Sequence, residues 1–364
     1  MRAAVISLGS VSSQMVAEAL KKYFDEVEMI QLKSMEVVLG KNGGVFYNGQ
    51  KLEKYDCIYV KGSFRYANLL RSISALLEGK VPYMPLSSDA FTVAHNKLLT
   101  HLALEQCGIP QPKTYVTANV ETAKDLLKKV NYPIVMKFPE GTQGKGVMFA
   151  DSISSASSLL DALGALNQPF IIQEYVETGG TDIRALVVGE KVVASMKRVA
   201  QKEEKRANIH AGGIGEPIML SREAINIALK TAKALKAEVC GVDILEGHLG
   251  PVVIEANVSP GLQGLSKVST INIADEIAKY FYYITEKIVN ERKKIASGEV
   301  MKELKLDEES NGTSSSVAQE IITELQFRGD RILLPEIATK LSKFSDQKEY
   351  SIKANKGKIE IKEF

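Results

Sequence analysis

Two short stretches decide how this sequence is interpreted: Gly241-Val-Asp-Ile-Leu245 and Val252-Val-Ile-Glu-Ala-Asn-Val-Ser-Pro-Gly261. Each is an apolar run of strand length that is interrupted by oxygen-bearing side chains. Gly247 and Gly250-Pro251 lie between them and are typical turn residues. The sequence therefore predicts an antiparallel hairpin of two buried strands.

The oxygen-bearing side chains of this hairpin form a candidate metal site. Successive side chains of a strand point to opposite faces, so Glu255 and Asn257 face the same side, and Asp243 on the neighbouring strand can face the same space. Burying two carboxylates is costly without a compensating cation. Carboxylate and amide oxygens suit Mg²⁺ better than Zn²⁺. The alternative is one surface aspartate followed by an Asn-Ser-Pro-Gly turn.

The composition is that of an ordinary globular protein. The chain has 364 residues, of which 45% are hydrophobic and 25% are charged, enough for two or three domains. The formal net charge of +2 argues against a nucleic-acid partner bound by bulk charge.

Cysteine usage and apolar runs indicate the cellular compartment. The cysteines lack metal or redox spacing and are expected to be free thiols in a reducing compartment. The apolar run Ala3–Leu8 is too short for a signal peptide, and no run approaches membrane-spanning length. We therefore expect a cytoplasmic protein with no membrane partner. The three cysteines are Cys57, Cys107 and Cys240.

Residues 1–92 alternate predicted strands and helices, which indicates a parallel sheet. Gly9-Ser10 follows the first strand, but the spaced glycines of a dinucleotide-binding turn are missing. The segment Lys61-Gly-Ser-Phe-Arg65 follows a strand at its carboxyl end, where α/β sheets bind ligands. Lys61 and Arg65 are therefore candidates for holding an anionic substrate; a solvated basic loop is the alternative.

A candidate phosphate-binding segment follows in a second α/β unit. Lys137 lies within the apolar run Tyr132–Phe138, where a buried ammonium needs an anionic partner. The next residues, Glu140–Gly146, are rich in glycine, which lets backbone N–H groups approach phosphate oxygens. A simple hairpin is the alternative. The candidate phosphate-covering residues are Gly141, Thr142, Gln143, Gly144 and Gly146.

Further polar groups interrupt the apolar strands downstream. Gln173-Glu174 ends an apolar strand and either presents groups to an adenine base or begins a polar turn. Arg184 and Arg198 are cations on strands that are otherwise apolar. Residues 201–213 form a basic stretch, which alone would favour a solvated loop.

The composition of residues 296–316 predicts a linker. Beyond it the pattern predicts two helices, at 317–327 and 335–344, and a final hairpin at 350–364. This could be a winged-helix module, but residues 301–364 contain 11 Lys and Arg against 12 Asp and Glu, and DNA readers are normally basic. A small docking or dimerisation module is favoured.

Taken in order, these motifs resemble the ATP-grasp superfamily and, within it, the RimK-type α-L-glutamate ligases. The resemblance covers about residues 1–290 and implies an α/β fold of α+β subdomains. The implied domains are a pre-ATP-grasp domain (1–92), an ATP-grasp domain of two subdomains with ATP between them (93–295), a linker (296–316) and a C-terminal α+β module (317–364). The motifs that carry the resemblance are Lys97, Lys137 with Glu140–Gly146, Gln173–Val176, Asp182-Ile-Arg184, Arg206–Gly213 and the hairpin.

The resemblance also implies roles for individual residues. Lys97 and Lys137 would hold the phosphates of ATP beneath the glycine-rich loop, and Arg206 would approach the γ-phosphate or acyl phosphate. Two Mg²⁺ ions, with Mn²⁺ as an alternative, would bind the three predicted ligands, with Glu255 bridging. The remaining implied ATP contacts are Gln173, Glu174, Tyr175 and Val176 near the adenine and Asp182 near the ribose; the implied substrate contacts are Asn208, Gly212 and Gly213.

One position departs from a related family. In D-alanine–D-alanine ligases an arginine stands two residues before the metal-binding aspartate, whereas this sequence has Gly241 there. The cation that stabilises the oxyanion of the reaction must come from elsewhere, and Arg198 and Arg206 are the candidates.

The resemblance implies an ADP-forming ligase that adds L-glutamate to an acceptor carboxylate through an acyl phosphate. The sequence is most similar to members that glutamylate coenzyme tails of the deazaflavin or tetrahydromethanopterin type. Glutamylation of a ribosomal protein C-terminus and amino-acid loading of an acidic carrier protein are alternatives. A non-catalytic ATP-binding scaffold would need a broken metal set or a missing lysine, and neither is seen. A homo-oligomer, dimer or tetramer, is also implied.

Overall fold

The computed structural model describes residues 1–140, 146–199, 214–303, 326–328, 331–333, 349–355 and 358–363. The chain divides into two compact units, Met1–Glu299 and Val300–Phe364. No helix within the described ranges combines the length and apolarity needed to cross a membrane.

The larger unit begins with a three-stranded sheet in the order β2-β1-β6, and both strand pairs are parallel, as the alternating pattern predicts. Its central strand is fully buried from Ala3 to Ile6, which is typical of a parallel strand covered on both faces. The pattern did not predict the small antiparallel sheet β3-β4-β5. In chain order the elements are β1 (Arg2–Ser7), α1 (Val11–Leu20), β2 (Glu26–Gln31), β3 (Met35–Val38), β4 (Gly44–Tyr47), β5 (Gln50–Lys51), β6 (Cys57–Val60), α2 (Ala67–Leu77) and α3 (Ser88–Ala94).

A four-stranded antiparallel sheet follows, in the order β7-β10-β8-β9. Two helices cover one face of this sheet and share a separate hydrophobic core with it, which includes Leu127, Met136 and Leu160. Since side chains alternate, Lys137 and Gln173 lie on the other face. The elements are α4 (Lys97–Gln106), β7 (Thr114–Tyr115), α5 (Val120–Leu127), β8 (Ile134–Lys137), β9 (Val147–Ala150), α6 (Ile153–Ala165) and β10 (Ile171–Glu174).

The third sheet has five antiparallel strands in the order β13-β12-β11-β14-β15, and it shares one hydrophobic core with the first sheet. The hairpin predicted from the opening stretches is confirmed, because β14 and β15 pair antiparallel from Gly241 opposite Asn257 to Gly247 opposite Gly250. The elements are β11 (Thr181–Val188), β12 (Lys191–Val199), β13 (Ile214–Pro217), α7 (Arg222–Ala234), β14 (Val239–Gly247), β15 (Gly250–Asn257), α8 (Gln263–Val268) and α9 (Ile273–Glu303).

Helix α9 extends further than the sequence predicts. It includes residues 296–303, which the composition assigned to the linker. Most of these residues are good helix formers, and the single Gly298 costs only about 1 kcal/mol relative to alanine, so it does not end the helix.

The described part of the smaller unit consists of two antiparallel hairpins, β16 (Gln326–Arg328) with β17 (Arg331–Leu333) and β18 (Tyr350–Asn355) with β19 (Lys358–Glu363). The predicted C-terminal hairpin is confirmed. Phe327, the last residue of a predicted helix, instead pairs with Ile332 across β16 and β17. The rest of that predicted helix, up to residue 325, and the predicted helix 335–344 lie outside the described residues.

The first and third sheets are joined by hydrogen bonds at the end of β6. The Lys61 ammonium donates to the Pro260 carbonyl at 2.7 Å, and the Gly62 N–H donates to Ser259 Oγ at 3.0 Å. Lys61 is only 5% exposed. Its ammonium therefore contacts a backbone carbonyl just beyond β15, a contact that the sequence did not predict.

Burial at this junction predicts a pH-dependent stability. Burial lowers the pKa of Lys61 to about 7 in the folded protein, whereas the lysine of the unfolded chain titrates near its ordinary pKa. Above pH 7 the unfolded chain therefore binds more protons at this site, and stability rises with pH by up to about 1.4 kcal/mol per pH unit.

Urea unfolding of the wild type and Lys61→Met at pH 7, 8 and 9 measures this effect. The wild type should gain free energy of unfolding relative to the variant as the pH rises, since other groups cancel in the difference. A difference that is constant with pH would show that Lys61 titrates normally.

Candidate active site

A cavity of about 850 Å³ lies among the parallel sheet β2-β1-β6, the four-stranded sheet and the five-stranded sheet of the larger unit. This volume is in the upper part of the range for small-molecule sites. Many of the residues that the sequence singled out converge on its wall. These are Lys61, Lys97, Lys137, Gln173, Glu174, Tyr175, Val176, Asp182, Arg198, Asp243, Glu255 and Asn257.

The three predicted metal ligands lie together on the β14–β15 hairpin. Asp243 stands directly opposite Glu255, and Asn257 is two residues further along β15 on the same face. The Ser259 N–H donates to Asn257 Oδ1 at 2.8 Å, which orients the amide and leaves its oxygen a second lone pair. These hard oxygen donors fit Mg²⁺. In the part of the chain that the structure describes, no three His, Cys, Asp or Glu side chains cluster as ligands, so this set needs the amide oxygen of Asn257.

Two arginines hold the carboxylate of Asp243. Arg184 binds it with two hydrogen bonds of 2.7 Å, and Arg198 adds a third contact of 2.9 Å. Arg198 also binds Asp182 with both Nε and Nη2. We call these four side chains the arginine–aspartate cluster; its charges balance, as buried charges require.

The cluster determines the charge state of Asp243. Burial alone would raise its pKa, but the two guanidinium groups outweigh burial and lower the pKa to about 2. The carboxylate is therefore ionised at neutral pH and able to bind a cation. Arg198 is one of the two candidates for stabilising the oxyanion of the reaction. It is 3% exposed and donates to two carboxylates.

The contact of Arg184 with Asp243 was not anticipated. The sequence does contain a signal for this contact, because Arg184 and Asp243 are both charged residues on strands that are otherwise apolar. The two are direct partners in the β11–β14 ladder, but their register could not be read from the sequence.

Two lysines face the hairpin from the other side of the cavity. Lys137 ends β8, and its Nζ donates to Gln173 Oε1 at 2.6 Å. Burial lowers its pKa to about 8, against the opposing effect of Glu255. Lys97 opens α4 after the N-cap Asn96, and its backbone N–H donates to the Pro139 carbonyl, which fixes it beside the segment that leads into the glycine-rich loop.

Gln173 and Glu174 are both engaged within the protein. The two N–H groups of the Gln173 amide donate to His101 and Thr114. The Glu174 carboxylate accepts hydrogen bonds from the Tyr115 hydroxyl at 2.6 Å and from Asn131 at 3.1 Å. These contacts use both amide N–H groups of Gln173, whereas the Glu174 carboxylate keeps lone pairs that can accept a further hydrogen bond.

Other predicted residues are separate from the cavity or undescribed. Arg65 is exposed and is absent from the cavity wall. Gly146 has a φ of +75°, and a Cβ there would lie 2.2 Å from Phe138 Cδ2, so this turn requires glycine for steric reasons. The predicted residues outside the described ranges are Gly141, Thr142, Gln143, Gly144, Arg206, Asn208, Gly212 and Gly213.

The arrangement of sheets defines the class of protein. The ATP-grasp ligase PsnB, solved with a minimal precursor, superposes with a TM-score of 0.62 at 19% identity and covers 78% of this chain and 98% of its own. A RimK domain ATP-grasp protein from Sphaerobacter thermophilus gives a TM-score of 0.60 at 17% identity, over 77% of this chain and 99% of its own. The fold is the ATP-grasp fold, as the sequence predicts.

The chain belongs to the RimK-like ATP-grasp family, whose domain model matches residues 94–281. Two relatives named probable alpha-L-glutamate ligase, from Cellvibrio japonicus and Shewanella loihica, are each 35% identical over 272 and 285 residues. These alignments span 74% and 77% of this chain and 90% and 95% of the relatives. The protein is therefore an ADP-forming ATP-grasp ligase, and the resemblance noted in the sequence is confirmed.

The arginine–aspartate cluster predicts a large cost for losing one cation. Arg198→Met leaves Asp182 buried without its partner, and it should lower the free energy of unfolding by about 3–5 kcal/mol. Lys124→Met is the matched control, because it removes an exposed pair with Asp161 that is worth only about 0–1 kcal/mol. Urea unfolding measures both, and a loss below about 1 kcal/mol for Arg198→Met would contradict this account.

Proposed function

We propose that the protein is an ATP- and Mg²⁺-dependent ligase that joins L-glutamate to an acceptor carboxylate. The observation that carries the proposal is that Asp243, Glu255 and Asn257 face the cavity wall that holds Lys97 and Lys137. Oxygen ligands on one side and cations on the other suit a metal-bound triphosphate between them. The names of the curated relatives support L-glutamate as the amine.

The reaction needs an activated acceptor, because an amine cannot displace oxide from a carboxylate. In the proposed sequence, an acceptor carboxylate oxygen bonds to the γ-phosphorus of ATP, and ADP leaves. The amino nitrogen of glutamate then attacks the acyl carbon of the resulting acyl phosphate. Phosphate leaves with the former carboxylate oxygen, the nitrogen loses its extra protons, and an amide bond remains.

The residues of the cavity have separate tasks in this scheme. Lys97 and Lys137 bind phosphate oxygens and offset their charge. Asp243, Glu255 and Asn257 would hold magnesium, which when bound neutralises phosphate charge during transfer. We further propose two ions bridged by Glu255, with Mn²⁺ able to replace Mg²⁺. Glu174 and the backbone groups of Tyr175 and Val176 would meet the adenine.

The acceptor is proposed to be an anionic coenzyme tail of the deazaflavin or tetrahydromethanopterin type. The support comes from the end of the cavity beside the first sheet, which is lined by Ser10, Ser13, Gly62, Ser63 and Lys267. Among the described residues that line this end none is acidic, so it suits a negatively charged small molecule. A protein C-terminus and an acidic carrier protein are the alternatives to be compared.

The proposal is tested by incubating the protein with MgATP, L-glutamate and a panel of acceptors: the two coenzyme types, an acidic peptide and a carrier protein. Phosphate release should require all three components, and mass spectrometry should find one or more glutamyl units on a coenzyme. An adduct on the peptide or carrier would reassign the acceptor. Folded protein that neither binds nor hydrolyses ATP would instead indicate a non-catalytic scaffold.

The metal assignment has its own test. Glu255→Gln should reduce turnover by at least about a hundredfold, because even the residues that merely orient a ligand cost up to that much. Glu246→Gln is the matched control, since Glu246 is exposed on the same hairpin and lies off the cavity wall, and it should keep wild-type turnover. Mn²⁺ binding followed by electron paramagnetic resonance should weaken in the first variant alone; equal binding in both would remove Glu255 from the ligand set.

A further inference from the structure

A chain of hydrogen bonds that passes through helix α4 leads to the cavity lysine Lys137. It begins at Gln111, whose amide N–H groups donate to the Glu105 carboxylate at 2.9 Å and to the His101 carbonyl at 3.1 Å. Both donors are used, so the amide oxygen must face the imidazole, and it lies 2.6 Å from His101 Nδ1. The orientation of Gln111 is thus set by a charged group and a backbone carbonyl.

This orientation fixes the tautomer of His101. An amide oxygen only accepts, so Nδ1 must carry the proton and Nε2 must be the acceptor. Burial, together with the nearby positive lysines, lowers the pKa of His101 to about 4, so the ring is neutral at physiological pH. The Nε2 lone pair accepts from Gln173 Nε2 at 2.8 Å.

His101 in turn fixes the amide of Gln173, which is only 2% exposed. With its N–H groups directed to His101 and to Thr114 Oγ1, the amide can present only its oxygen to Lys137, at 2.6 Å. The Thr114 hydroxyl donates its hydrogen to the Pro112 carbonyl at 2.8 Å, so it too can only accept from Gln173. The imidazole, with its tautomer fixed, can only accept.

We propose that His101 is a positioning residue for Lys137: through Gln173 it holds the ammonium at the point where it binds a phosphate of ATP. The proposal rests on the proposed function, in which Lys137 is a phosphate ligand. Among the contacts of the described residues, one N–H of the ammonium is used by Gln173, which leaves two for the nucleotide. Without the fixed amide, a half-buried lysine with a flexible stem would sample other positions.

The test compares two variants of equal side-chain length. Glutamine places an amide oxygen near the position of Nε2, whereas methionine offers only a weak acceptor there. Calorimetric titration with MgATP, without acceptor, should show a dissociation constant about tenfold higher for His101→Met, because a charge-assisted contact is lost. His101→Gln should remain within about threefold of the wild type. The Michaelis constant for L-glutamate should not change in either variant.

Thr114→Ser is the matched control, because it keeps the hydroxyl oxygen that accepts from the same amide, and it should leave MgATP binding within about threefold of the wild type. Equal weakening by His101→Met and His101→Gln would indicate packing alone and overturn the proposal, as would wild-type binding by His101→Met. A wild type that fails to bind MgATP overturns the proposed function as well. If His101→Met does not fold, Gln111→Met is the second variant, because Gln111 is only half-buried and its loss removes the contact that fixes the tautomer of His101. MgATP binding should then weaken severalfold, and unchanged binding overturns the proposal.

Discussion

Charge compensation in the arginine–aspartate cluster is the constraint on which the site depends. Asp243 is 4% exposed and Asp182 is 8% exposed, and carboxylates this deeply buried persist as ions only when cations lie beside them. Arg184 and Asp243 are ladder partners, so one cation lies beside the Asp243 carboxylate. Arg198 binds both Asp243 and Asp182 and so links the two carboxylates. The five-stranded sheet therefore carries a preformed, ionised oxygen surface.

On the opposite wall of the cavity, a charged side chain is held by a neutral polar group instead of by an opposite charge. Lys137 is half-buried, and the partner that holds it is the neutral amide of Gln173. A neutral partner orients the ammonium without cancelling its charge, so the positive potential on that wall is available to a polyanionic ligand. The cavity thus separates a wall of carboxylate and amide oxygens, which suits a metal, from a positive wall, which suits phosphate.

The parts of the site that could be predicted are those encoded locally. The turn glycines and alternating side chains of 241–261 specify the hairpin and the shared face of Glu255 and Asn257. Contacts between distant segments could not be read in this way. Lys61 meets Pro260 199 residues away, and Gln173 meets His101 72 residues away, and neither contact has a local signal in the sequence. The alternating pattern of strands and helices also did not predict the antiparallel sheet at residues 35–51.

The division of the larger unit into two hydrophobic cores has a mechanical consequence. The first and third sheets share one core and are joined through Lys61, whereas the four-stranded sheet has a core of its own with α5 and α6. Movement costs least at the boundary between cores, because fewer packed contacts are exchanged there. Movement of the four-stranded sheet that carries Lys137 relative to Asp243, Glu255 and Asn257 would therefore exchange fewer packed contacts than movement within the core that the first and third sheets share.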